Sequence, residues 1–213
     1  ADKVTKALTK QGQSYNDPDF VKAANCIKEL VDMGAFIDGA TGLSNDEASA
    51  SFYAEQVPMY FTGSWMGGSI VTDAEKPDNF AVAPIPVVNS ANASVTDFMG
   101  GGSDTLMVSA GTKNKDLAAA AAFEITRGVS KHAYLSGAGI PAWTVDYDVS
   151  SVPALTQQVA DIAGKATSYT LWFDTLMSSD DAGEYLTLLQ SLFAGDLKPE
   201  EFAASMDKQL SKK

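Results

Sequence analysis

The sequence predicts an α/β fold in which helices dominate and a few short strands are interspersed. Three observations carry that expectation. Apolar residues recur at helical spacing in six segments, most of them opened by a recognisable N-terminal signal. Short apolar runs suited to strands fall between those segments, at 59–62, 80–86 and 104–109. No repeat with a period of 20–50 residues is visible, and no stretch is long and polar enough to be disordered.

Asp17-Pro18-Asp19 opens the first helix, with Asp17 as N-cap and Pro18 at the first helical position, where its missing N–H costs nothing. Phe20, Ala24, Ile27, Leu30 and Val31 then share a face, and Gly34 ends the element. Ser44-Asn45-Asp46-Glu47 is a capping-box pattern, in which Ser44 and Glu47 satisfy each other's free amides. That helix carries Ala48, Phe52 and Tyr53 and gives way near Val57-Pro58. The run Met59-Tyr60-Phe61-Thr62 ends in Gly63-Ser64-Trp65 and is the first strand expected. Phe80 to Pro86 is the second, and Asp104 to Ser109, after Gly100-Gly101-Gly102, is the third. Between them Asn89 to Ser94 reads as a polar turn.

Asn114 is expected to cap an Ala-rich helix over 115–127, with a loop from Ser136 to Pro141 after it. Another helix is expected over 151–165, and Tyr169 to Phe173 is apolar and aromatic. Ser179-Asp180-Asp181 caps a long helix with Leu186, Leu189, Leu192 and Phe193 on one face, stopped by Gly195. Pro199-Glu200-Glu201 opens the last helix, where Phe202, Met206 and Leu210 are spaced by four.

Composition narrows the function. The 213 residues are 45% hydrophobic and 20% charged, as in globular proteins, which allows one large domain or two small ones. The net charge of −12 repels phosphate backbones and anionic headgroups, so neither nucleic acid nor a lipid surface is an expected partner. No run approaches the length needed to span a bilayer, so direct membrane insertion is not expected. Cys26 is the only cysteine and reads as a small core hydrophobe; no disulfide or CxxC pair can form within the chain. His132 is the only histidine and has no Gly-x-Ser-x-Gly elbow to serve, which argues against a hydrolase triad and a His-based metal site. Asp180-Asp181 and Glu200-Glu201 sit where the positive end of a helix explains them better than glycosidic chemistry does. Gly100 to Ser103 lacks the Lys of a phosphate-binding loop. No cofactor or metal is implied, and no enzyme activity is expected.

The order of the elements resembles the family 1 extracellular solute-binding proteins of bacterial ABC sugar importers. In that family a helix near an "F-x-x-G-x-x-A-M" segment leads into a strand closing with "G-x-W". Phe52 to Met59 and Gly63-Ser64-Trp65 stand there in this chain, with Glu55 and Gln56 replacing the usual Gly and its neighbour. Gly100-Gly101-Gly102, the following Val-Ser-Ala and Thr112-Lys113-Asn114-Lys115 resemble "G-G … V-S-x-x-T-K-N-K". Ser136 to Ala142 resembles "G-x-I-P-A", and Phe193-Ala194-Gly195 with Pro199-Glu200-Glu201 resembles the carboxy-terminal helices. The resemblance covers about residues 17 to 210.

It implies the carboxy-terminal lobe of a periplasmic-binding-protein-like (type II) fold. Family members are longer, with a lipobox Cys and an amino-terminal lobe, and the chain opens Ala1-Asp2-Lys3 with neither Met nor an apolar signal core. The expectation is therefore a fragment with an incomplete site that binds sugar weakly. Residues 1–102 and 156–213 would form the lobe, and 103–155 would cross the hinge toward the absent one, leaving a middle segment through which the chain could dimerise. The implied function is non-enzymatic capture of a carbohydrate, an oligosaccharide by preference, outside the membrane and its delivery to an ABC permease. A carbohydrate-active enzyme accessory domain and a stand-alone interaction domain are the alternatives.

A sugar presents hydroxyl rims and apolar C–H faces, so its site needs flat aromatics and fixed polar groups. Trp65, just after a glycine at an expected strand end, and Trp172, in Leu171-Trp172-Phe173-Asp174, are the stacking candidates. Asp174 would accept sugar hydroxyls, and Gly101 and Gly102 would let the ligand approach backbone amides. Trp143 and Asp104 are weaker candidates, on segments that the resemblance turns toward the other lobe.

Overall fold

The computed structural model describes residues 2–102 and 104–212. Ser103, where the expected hinge-crossing segment begins, lies outside the described residues. The helices are α1 (Asp2–Leu8), α2 (Pro18–Asp32), α3 (Asn45–Tyr53), α4 (Met66–Asp73), α5 (Lys115–Ser136), α6 (Ala154–Ala163), α7 (Phe173–Leu176), α8 (Ser179–Ala194) and α9 (Pro199–Leu210). Short 3-10 turns cover Ala40–Gly42 and Pro77–Asn79, and β1 (Asp97–Met99) and β2 (Ser168–Thr170) form a two-stranded sheet. The chain divides into two compact units, Ala1–Ala48 with Thr170–Lys213, and Ser49–Tyr169.

The first unit is a helical cluster built on α9. Spacing by four puts Phe202, Met206 and Leu210 on one stripe, and all three are buried, with Ala203 beside them. They meet Phe20 and Ala24 of α2, Ala7 and Leu8 of α1 and Leu192 of α8. Tyr15 stacks on Phe20 with ring centroids 4.3 Å apart and presents an edge to Phe202 at 6.2 Å. Burial pushes the Tyr15 hydroxyl far above its ordinary value, so it stays neutral. Leu186, expected on the buried face of α8, is 59% exposed. Leu192 carries that contact, joined by the half-buried Tyr185, Leu188 and Leu189.

Capping follows the sequence closely in this unit. Asp17 accepts the amide of Asp19, and the Ser44 amide donates to Glu47 Oε2 at 2.8 Å while Ser44 Oγ accepts the Glu47 amide at 3.3 Å. The N-cap of α8 is Ser178 rather than Ser179, because its Oγ is the one that accepts the Asp181 amide, at 3.2 Å. The Asp181 carboxylate is buried, and it accepts from Gln209 Nε2 at 3.0 Å and from Ser178 Oγ at 2.8 Å and pairs with Lys10 Nζ at 3.0 Å.

Burial alone would raise the Asp181 carboxyl, but hydrogen bonds from Ser178, Lys10 and Gln209 and the Lys10 charge outweigh it and hold the value below the ordinary 3.8. A carboxyl depressed in the folded state contributes stability that is present above pH 3.8 and lost as pH falls through the folded value. Acid unfolding of the first unit should therefore begin below about pH 4 and steepen downward. The Asp181→Asn variant should be less stable at neutral pH and flatter across that window, as followed by circular dichroism.

The second unit has its own core, Met66, Ile70, Ala74 and Leu155, walled by Phe52, Tyr53, Tyr60, Phe80 and Val82. Here α4 crosses other elements at backbone distance. A Cβ on Gly67 would overlap Thr156 Oγ1, and one on Gly68 would overlap the Ser136 carbonyl oxygen at the end of α5. The Gly68 amide donates to the Gly137 carbonyl at 2.9 Å. Gly137 has φ +79°, a left-handed conformation that a non-glycine residue rarely adopts, and it stops α5.

Several local expectations are corrected. None of the segments 59–62, 80–86 and 104–109 is a strand; the pair forms at 97–99 and 168–170 instead. A strand needs a ladder partner, and no strand partner faces these runs among the described residues. Met59 (84%) and Met107 (89%) stand largely in solvent. Asn114 makes no side-chain cap; its own amide donates to Thr112 Oγ1 at 3.3 Å. α5 runs past Arg127 to Ser136, because Gly128 keeps helical geometry and only Gly137 turns left-handed. α1, α4 and α7 carry no helix signal clear enough to be expected from the sequence.

Candidate functional site

Trp65 immediately precedes α4 and is 50% exposed. Its six-membered ring lies over Gly63, where a Cβ would overlap it. Glycine at 63 is thus the condition for the indole to approach the backbone this closely. Gly101 and Gly102 follow β1 and are exposed. Gly100 and Gly101 have φ of +134° and +153°, conformations open to glycine and strained for other residues, and no Cβ shields the backbone there. Trp65, Gly101 and Gly102 all belong to the second unit.

Trp172 and Asp174 belong to the first unit. Trp172 is half-buried at the N-cap of α7, and its carbonyl accepts from Thr175 Oγ1 at 2.7 Å and from the Thr175 amide at 3.1 Å. Asp174 sits in the first turn of α7 with an exposed carboxylate that makes no hydrogen bond or ion pair among the described residues. The five candidates are therefore divided between two units, two aromatic–polar groups rather than one shown constellation. His132 lies exposed on α5, and Cys26 is half-buried on α2. Among the described residues no three His, Cys, Asp or Glu side chains converge on a metal-sized centre, and no helix is long and apolar enough to cross a membrane.

A further concavity of about 240 Å³ lies in the second unit, where Arg127 and Lys131 of α5 face Trp143, Asp146 and Tyr147. Of these residues only Trp143 drew attention in the sequence. The signal that could have found the rest is Arg127, the only arginine in the chain.

The profile of a family described as bacterial extracellular solute-binding protein matches residues 2–123, more than half of the chain. The chain belongs to that family. A structure from work on xylan utilization by the thermophilic bacterium Caldanaerobius polysaccharolyticus superimposes with a TM-score of 0.85 at 29% identity, covering 96% of this chain and 53% of that one. A chitin oligosaccharide binding protein superimposes with a TM-score of 0.81 at 21% identity, covering 97% of this chain and 52% of that one, and shows the fold alone. No curated protein matches the chain. The chain spans about half the length of the solved relatives. The helix-rich α/β, periplasmic-binding-protein-like class expected from the sequence is the one observed.

Proposed function

We propose that this chain captures a carbohydrate without covalent chemistry, outside the cytoplasmic membrane, as part of delivery to an ABC permease. The observation that carries the reading is the exposed indole of Trp65, laid on Gly63 in a chain of the solute-binding family. Work on xylan utilization and a chitin oligosaccharide binding protein stand behind the two solved relatives, which supports an oligosaccharide as the solute. In the second unit Trp65 stacks on a sugar C–H face and the backbone at Gly101 and Gly102 admits hydroxyls. In the first unit Trp172 offers a second aromatic surface and Asp174 accepts hydroxyl protons. The role of these residues is retention and orientation; the proposal includes no bond cleavage.

Trp65, Gly101, Gly102 and Asp174 are all exposed, so binding by this chain is expected to be weak. Titration of ¹⁵N-labelled chain with xylo- and chito-oligosaccharides should shift the Trp65 and Trp172 indole resonances saturably. Trp65→Ala should weaken the affinity at least about tenfold, the scale of a lost stacking aromatic. If no oligosaccharide shifts either indole, or if reducing ends accumulate during the titration, the reading is wrong.

A further inference from the structure

We propose that the cleft between α5 and the 142–147 loop is a second carbohydrate subsite, sized for one sugar ring. The proposal uses none of the five residues given roles under the proposed function and stands independently of them; of its lining only Trp143 is a sequence candidate.

The cleft is built rather than incidental. Glu124, Arg127 and Lys131 recur at helical spacing along one face of α5, and Gly128 lies among them. A Cβ at Gly128 would meet nothing within 4 Å, so the floor is open. The loop is pinned to the helix where the Ala142 amide donates to Ser130 Oγ at 3.0 Å. Phe123 meets the Trp143 ring edge-on, with centroids 4.6 Å apart at 75°, which fixes the indole while leaving it 36% exposed. Lys131 Nζ sits over the Tyr147 ring, 5.0 Å from its centroid.

The chemistry of the lining selects the ligand. Arg127 Nη2 donates to Asp146 Oδ2 at 3.0 Å, yet the two side chains are 53% and 62% exposed. An exposed pair of this kind contributes little to stability, so stability does not account for the chain's only arginine standing here. The pair leaves further guanidinium N–H groups beside a carboxylate, planar donors and acceptors side by side. Adjacent sugar hydroxyls each donate and accept, and this arrangement answers them in pairs. Trp143 supplies the flat apolar surface for the C–H face.

Competing ligands fit less well. Two carboxylates, Glu124 and Asp146, stand against two cations, so phosphate or sulfate meets repulsion along with attraction. A wholly apolar ligand would leave the charged lining unpaired. The volume of about 240 Å³ is below that of drug-sized sites and leaves room for one pyranose ring, not a disaccharide.

The three tryptophans give three indole N–H reporters in the ¹⁵N-labelled chain. Titration with methyl xyloside, methyl glucoside and methyl N-acetylglucosaminide should shift the Trp143 indole saturably, in the millimolar range, for at least one sugar. Arg127→Met and Asp146→Asn should each weaken that response at least tenfold, with the Trp65 and Trp172 resonances unmoved as evidence of retained fold. Arg127→Lys, which keeps the charge and loses the planar fork, should weaken it nearly as much. The proposal is overturned if no sugar shifts Trp143, if sodium phosphate at matched ionic strength shifts it as strongly, or if both variants respond like the parent chain. Trp65 and Trp172 report on the proposed capture site in the same spectra, so the two sites are tested separately.

Discussion

Replacing Phe202 by alanine should destabilise the first unit by about 3–5 kcal/mol, among the largest effects any single truncation in this chain would give. Phe202 is 4% exposed and lies between Tyr15, which turns an edge toward it, and Tyr185, 6.1 Å away between centroids. Truncation removes the transfer energy of a phenyl ring and leaves a cavity bordered by Met206, itself fully buried. Two aromatic neighbours, held by α8 and by the stacking of Tyr15 on Phe20, cannot collapse into that space without leaving their own contacts. The measurement is urea unfolding followed by Trp172 fluorescence in a Trp65→Phe/Trp143→Phe background, with hydrogen exchange across α9 and α2 as the local readout. Leu186→Ala is the control: the side chain is 59% exposed and its truncation should stay within about 0.5 kcal/mol. Equal losses for the two variants would mean that α8 and α9 do not pack as described.

Gly68→Ala should be strongly destabilising in the second unit, at about 3 kcal/mol, the upper end of overpacking effects. The added methyl meets the Ser136 carbonyl oxygen and, at 3.3 Å, the Gly137 carbonyl carbon, both backbone atoms with no rotamer to escape through. Relief requires α4 to move away from the end of α5, which stretches the 2.9 Å bond from the Gly68 amide to Gly137. Gly67→Ala meets Thr156 Oγ1 first, a side-chain atom that can rotate, so its effect should be smaller. Gly128→Ala has open space around the new methyl and a helical backbone, so it should stabilise α5 by about 0.5–1 kcal/mol. Thermal melts of the three variants rank them, and a Gly68→Ala protein as stable as Gly128→Ala would refute the close crossing.

The helices with short-range signals were legible from the chain alone. Asp17 with Pro18, the Ser44–Glu47 box, Pro199 and the closing Gly195 each act within a few residues of themselves, so their geometry needs no neighbour. The stripe of Phe202, Met206 and Leu210 likewise announced a buried face, because helical period and burial coincide. Gly128 and Gly137 are the same residue type at two points of one helix, and only the second stops it. That difference lies in φ, which the tertiary contact with Gly68 supports.

The candidate site was legible in part, and for a like reason. Trp65 stands out in the sequence as a large aromatic just after a glycine; that its ring lies over Gly63 is a spatial fact that only the structure supplies. Arg127 and Asp146 are separated by 19 residues, and their pairing depends on where a loop folds back against α5. No local pattern encodes that.

The sequence by itself determined the helix-rich α/β class, the starts of the helices that carry a local capping signal and its family resemblance, all of which depend on periodicity and on interactions over a turn or two. Only the tertiary structure decided which apolar runs became strands, which face of α8 was buried and which charged residues met across the 142–147 cleft. Those outcomes depend on what segments distant in the chain bring to one place. A ladder partner, a packing neighbour or an opposing charge is a property of the contact, not of either residue alone.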